Sequence, residues 1–133
     1  MDITRRTDYA IRIMTALTAA RSDVPVSLRE LAGVQDVPYA FARNVQRDLM
    51  TAGLITTARG ATGGLALARP AEQITVLDIV EATHGDTSIS VCTRDPGWCE
   101  RAGSCSVHRI WKEADALVRQ HLRSKTLAGL VTE

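Results

Sequence analysis

The sequence predicts a mainly α fold with a small β-wing: a winged helix-turn-helix followed by a long C-terminal dimerisation helix. Three observations carry this. Two short helical segments, 28–34 and 38–51, flank a tight turn at 35–37. Two strand-like runs, 54–57 and 65–68, enclose the tip Arg59-Gly-Ala-Thr-Gly-Gly64. An apolar stripe of helical period (Val107, Ile110, Trp111, Ala114, Leu117, Val118, Leu122) runs through a last helix at 104–123.

The elements follow in order. Residues 7–21 place Tyr9, Ile13, Ala16, Leu17 and Ala20 on one helical face, and the stretch from Arg21 to Pro25 breaks it. Ser27 and Glu30 have the spacing of a capping box that opens the next helix. Pro38 suits the first position of the following one, where its missing N–H costs nothing. That helix turns Phe41, Val45 and Leu49 inward, and Gly53 ends it. Its outer face carries Tyr39, Arg43, Asn44 and Arg47, side chains able to reach base edges and phosphates. In the wing, glycines let the backbone approach a phosphate and Arg59 enter a minor groove. Pro70 closes this module. A further helix spans 76–83 with Ile79 and Val80 buried, and residues 85–104 read as one long loop.

With 133 residues and 45% apolar content the chain forms one domain with a core. We divide it into a winged-helix region, 1–70, and a loop-plus-dimerisation-helix region, 71–133, as parts of one intertwined domain. The last stripe, about 30 Å long at 1.5 Å per residue, is either packed on its own domain or a dimer stem; the stem is the stronger reading. Net charge is only +1, but residues 1–70 hold nine Arg against six acids. Arginine is the better side chain for phosphate and guanine. No stretch reads as a signal peptide or approaches the roughly 18 apolar residues of a membrane span. The expected location is the cytoplasm, with no membrane partner. No Walker loop, dinucleotide fingerprint or HExxH motif is present, so an enzyme is not expected.

All three cysteines fall in the long loop, as Cys92-x6-Cys99-x5-Cys105. Reduced cytoplasmic thiols are not a disulfide framework. Their neighbours are polar and charged, unlike those of core cysteines. Converging thiolates bind iron–sulfur clusters or zinc. The spacing lacks the short pairs common for zinc, although Cys105 and His108 keep a three-Cys, one-His zinc site open. Either group needs a fourth ligand. His108 is one candidate and Asp8 another, the latter brought from a second subunit. The plainer alternatives are incidental thiols, an Asp8 ion pair with Arg5 or Arg12, and a merely polar His108.

The whole chain resembles the bacterial winged-helix iron–sulfur regulators of the IscR/NsrR/RirA family. The matching pieces are Thr7-Asp-Tyr-Ala-Ile-Arg12, Val26-Ser-Leu-Arg-Glu-Leu31, Arg59-Gly-x-x-Gly-Gly64, Ala68-Arg-Pro70, Ile74-Thr-x-x-Asp-Ile-Val80, the three cysteines and Thr126-Leu-Ala-x-Leu130. The resemblance implies a homodimer on a palindromic operator in double-stranded DNA, with an iron–sulfur cluster (4Fe-4S ahead of 2Fe-2S) before the stem helix. It implies a repressor that senses nitric oxide, redox stress or iron status; a zinc-bound or cluster-free thiol-switch regulator is the alternative. The DNA-contacting positions it implies are Ala40, Arg43, Asn44, Arg59 and Gly60, beside Ser27, Tyr39 and Arg47. Asp8 in its Thr-Asp-Tyr context, with Cys92, Cys99 and Cys105, matches NsrR-like members; IscR-like members use a His just beyond the third Cys. Arg43 stands where IscR-like members carry an acid, so the operator should differ. Val37 is a poor helix cap where many relatives carry Ser.

Overall fold

The first helix, α1 (Arg5–Ala19), is the hub of the molecule. Thr4 caps it, its hydroxyl accepting from the Thr7 amide at 3.5 Å. Ala10, Ile13, Met14 and Leu17 line its buried face, and α2, α3, α4 and α7 all pack against it. The computed structural model describes residues 2–20, 24–58 and 63–132. The helix stop expected around Arg21, Ser22 and Asp23 lies outside the described residues, as does the wing tip with Arg59 and Gly60.

Helix α2 (Leu28–Val34) opens on Ser27, whose Oγ accepts from the Glu30 amide at 3.2 Å. Asp36, at φ 52°, makes the turn into α3 (Tyr39–Thr51). Pro38 stands one residue earlier than expected, as the cap rather than the first helical residue, and no side chain caps this end. Gly53, at φ 74°, terminates α3 as anticipated. One inward residue differs. Phe41 is 44% exposed, and Ala42 is buried with Val45 and Leu49. A small side chain at that point lets α3 approach α1 closely, and Phe41 lies edge-on against Tyr9 instead, ring centroids 5.5 Å apart.

Strands β1 (Ile55–Thr57) and β2 (Leu65–Leu67) pair antiparallel, Thr56 opposite Ala66. A bridge between Val26 and Leu65 adds the segment before α2 to this ribbon, with backbone bonds of 2.9 and 2.7 Å. After a short 3₁₀ turn (Ala71–Gln73), α4 (Val76–Thr83) begins with a complete capping box between Thr75 and Asp78. The hydroxyls of Thr7 and Thr83, on α1 and α4, are hydrogen-bonded at 2.9 Å.

The expected long loop is not structureless. It contains α5 (Val91–Arg94) and a 3₁₀ turn (Pro96–Trp98), pieces too short for any sequence period. Helix α6 (Ser106–Ser124) then runs along α4 and α5. A last helix absent from the sequence reading, α7 (Leu127–Thr132), returns to α1 and buries Leu127 completely. Backbone bonds from Val76 to Lys125 and from Leu127 to Ile74 hold that return in place.

Candidate functional site

Helix α3 sorts its residues by the packing of its inner face. Because Ala42, Val45 and Leu49 face the core, the opposite arc exposes Tyr39, Ala40, Arg43, Asn44 and Arg47. At 3.6 residues per turn these five span about 140° of the helix surface. Arg43 and Arg47 lie over a shallow concavity shared with Gln46 and Met50. Ser27 and Tyr39 line a second cleft that reaches the root of the wing at Thr57 and Gly64.

Two ties from α1 fix the attitude of the helix-turn-helix. Arg6 grips Asp48 of α3 with two bonds, Nε to Oδ2 at 2.5 Å and a terminal nitrogen to Oδ1 at 2.7 Å. The hydrogen bond to the Asp48 carboxylate holds the Arg6 guanidinium above its ordinary pKa. Arg12 donates to the Gln35 carbonyl in the turn between the two helices, lies 3.5 Å from Asp8 and sits over the Tyr9 ring. Asp8 is thus an exposed partner of Arg12 within the chain. The sequence offered Arg12 only as an ion-pair partner of Asp8, which it is, and did not single out Arg6; an Arg is informative only once its partner is known.

The cysteines sit on three local structures. Cys92 belongs to α5, Cys99 follows the 3₁₀ turn, and Cys105 is the residue before α6. All three are free and half-buried. Packing of α5 on α6 brings Cys92 and His108 together, Nδ1 to Sγ 3.3 Å, and Ser90 Oγ is also 3.3 Å from that sulfur. Cys105 and His108 border a 440 Å³ cleft with Arg109 and Lys112 on its rim. Among the described residues no three His, Cys, Asp or Glu side chains converge on one point as metal ligands would. The donor set, three soft thiols and one imidazole, has the chemistry for a thiophilic metal group.

The loop is pinned at its start by polar residues of α6. The Asp115 carboxylate accepts from the Ile89 amide at 2.8 Å. Arg119 pairs with Glu81 of α4 at 2.9 Å and reaches the buried Thr87 hydroxyl at 3.4 Å. Asp86 accepts from the Ser88 amide at 2.7 Å and lies 3.3 Å from Arg94. The hydrogen bonds from Ser88, with Arg94 nearby, hold the Asp86 carboxyl below its ordinary pKa. The apolar side of α6 is uncovered: Ile110 is 56% and Leu117 67% exposed, and no residue of this helix is buried.

A helix-turn-helix braced by a third helix and flanked by a two-stranded wing, with arginines on its outer face, defines a winged-helix DNA-binding protein. The comparisons with known proteins narrow the class. The family model described as "Rrf2: Iron-dependent Transcriptional regulator" matches residues 3–133, and the chain belongs to this family of transcriptional regulators, which are not enzymes. It is 32% identical over 133 residues to "Protein rrf2" of Nitratidesulfovibrio vulgaris, covering 100% of this chain and 89% of that one. It is 28% identical over 132 residues to the "HTH-type transcriptional regulator NsrR" of Shouchella clausii, covering 98% and 89%. The structure of CymR, described as the global cysteine regulator of B. subtilis, superposes with a TM-score of 0.81 at 26% identity, covering 99% of this chain and 97% of the other. The winged-helix fold and the NsrR-type resemblance expected from the sequence are thereby met. No helix among the described residues is long and apolar enough to cross a membrane.

Proposed function

We propose that this regulator is a cytoplasmic repressor that binds a palindromic operator as a homodimer and holds an iron–sulfur cluster, 4Fe-4S ahead of 2Fe-2S, on Cys92, Cys99 and Cys105. The observation that carries the proposal is the placement of three free, half-buried thiols in one loop, with an imidazole 3.3 Å from one of them, at the foot of a helix whose apolar side is bare. The iron-dependent family description supports it. The bound cluster supplies iron reactive toward nitric oxide, oxidants or iron loss. The thiolates bind; Asp115, Arg119 and Asp86 hold the start of their loop. Asp8, presented by a second copy, is the fourth donor, with His108, 3.3 Å from Cys92 within one chain, as the alternative. Either is harder than thiolate and exchanges more readily, which leaves one iron exposed. The DNA face comprises Ser27, Tyr39, Ala40, Arg43, Asn44 and Arg47, joined by Arg59 and Gly60 of the wing tip.

Protein purified without oxygen should be brown, contain iron and acid-labile sulfide, and retard fragments of its target promoters. Cys92→Ala, Cys99→Ala or Cys105→Ala should remove the colour. Asp8→Ala and His108→Ala compared for cluster loss in air identify the fourth ligand. Colourless protein with stoichiometric zinc overturns the cluster in favour of zinc. The likeness to a cysteine regulator supports a second reading, in which the thiols themselves are the switch. Peroxide-dependent release of DNA by iron-free protein would establish it.

A further inference from the structure

The arginines of the helix-turn-helix differ in their partners. Arg6, Arg12 and Arg69 each face a carboxylate. Arg29, Arg43 and Arg47, all exposed, have no carboxylate partner among the described residues. Arg43 and Arg47 are on the recognition helix α3. Arg29 is on the first turn of α2, two residues beyond Ser27, and was not itself among the expected contacts.

Its side chain nonetheless has a ring partner. The Arg29 guanidinium carbon lies 4.1 Å from the centroid of the Tyr39 ring, so the two helices are joined on their outer face by a cation–π stack. Arg29 and Tyr39 stand at one wall of a 270 Å³ cleft, and Thr57 and Gly64 at the wing root form the other. The far wall is fixed. The two backbone bonds between Val26 and Leu65 tie it to the segment before α2, and a side chain at Gly64 would strike the Val26 backbone at 2.6 Å. A polar-walled cleft between recognition helix and wing, with a stacked guanidinium at its edge, offers a sugar–phosphate strand polar lining and a positive charge. Stacking spares Arg29 part of the rotamer freedom that a loose arginine loses on gripping phosphate.

We propose that Arg29, held by Tyr39, anchors a backbone phosphate of double-stranded DNA beside the cleft between α3 and the wing. The inference rests on the DNA-binding reading above and assigns Tyr39 a positioning role. A phosphate contact carries no sequence information, so Arg29 sets register and strength, not operator choice.

The test is the salt dependence of binding to a short random-sequence duplex and to a promoter fragment, by fluorescence anisotropy. One phosphate lost per protomer makes the log–log slope of a dimer shallower by about 1.8. Arg29→Ala should show this and weaken both DNAs by the same factor. Arg29→Lys should restore most of the slope. Tyr39→Leu should weaken both DNAs as Arg29→Ala does, to a smaller extent. An unchanged slope in Arg29→Ala, or a loss confined to the promoter fragment, overturns the inference while the regulator reading stands. Failure of the wild-type chain to bind either duplex at low salt overturns both. The sites are exposed, and unchanged far-ultraviolet circular dichroism confirms that each variant is folded.

Discussion

Gly64→Ala should be among the most damaging single-methyl changes in the molecule. A Cβ there would lie 2.6 Å from both the carbonyl carbon and oxygen of Val26, and 3.0 Å from the Pro25 carbonyl carbon. Carbon atoms in contact prefer about 3.5–4.0 Å, so the two segments must part by roughly 1 Å. The obstructing atoms are backbone and cannot rotate away. Overpacking of this kind costs about 1–3 kcal/mol. Separation also stretches the Val26–Leu65 pair of hydrogen bonds, at 2.9 and 2.7 Å, each contributing about 0.5–1.5 kcal/mol. The expected destabilisation is about 3 kcal/mol. Gly33→Ala is the matched control: Gly33 is in α2, nothing lies within 4 Å of its added Cβ, and the change should stabilise by up to about 1 kcal/mol. Urea melts at one fixed protein concentration read both values, since dimerisation makes apparent stability depend on concentration. If Gly64→Ala falls within about 0.5 kcal/mol of wild type, or Gly33→Ala costs as much, the wing root is not held as described.

Further outcomes follow from the same contacts. Asp48→Ala should cost about 1 kcal/mol, modest because Arg6 is 43% exposed, and a double-mutant cycle with Arg6→Ala should show that most of it is coupling between the two. Ile110→Glu and Leu117→Glu place charge on the bare side of α6; light scattering should show a shift to monomer, and unchanged mass would mean this face is not the stem. The Asp86 carboxyl is held below its ordinary value, so its bond to Ser88 is fully present above about pH 4 and is lost as pH falls through the lower folded-state value. Protection of the Ser88 amide, its exchange relative to an unstructured peptide at the same pH, should fall over that acid range in the wild type, and Asp86→Asn should remove this change in protection.

Legibility in the sequence followed the range of the interaction. The α2 start was readable because Ser27 bonds the amide only three residues away. The end of α3 was readable from Gly53 alone. The inward face of α3 was read correctly at Val45 and Leu49 and missed at Ala42. Spacings of four residues and of three both satisfy a helical period, and only the closeness of α1 chooses between Phe41 and Ala42. Helices α5 and α7 are shorter than two turns, below what any period can reveal. In the site, the cysteine cluster was visible as spacing. Its pinning by Asp115 and Arg119 was not, because those partners are 26 and 32 residues from the groups they hold.

By itself the sequence determined a winged-helix regulator with three thiols in one loop before a long amphipathic helix. Local caps, turn glycines and hydrophobic period are written residue by residue, and they decide such matters. The tertiary structure alone decided which arginines are free. Arg6 is drawn into an ion pair with Asp48 and Arg12 into a bond to the Gln35 carbonyl, and these set the helix-turn-helix on α1, while Arg29 stacks on Tyr39 and keeps its charge facing outward. It also decided that His108 meets Cys92 across the packed α5 and α6. A charged or ligating side chain acquires its role from what lies within a few ångströms of it, and that distance is set by the packing of elements far apart in the chain.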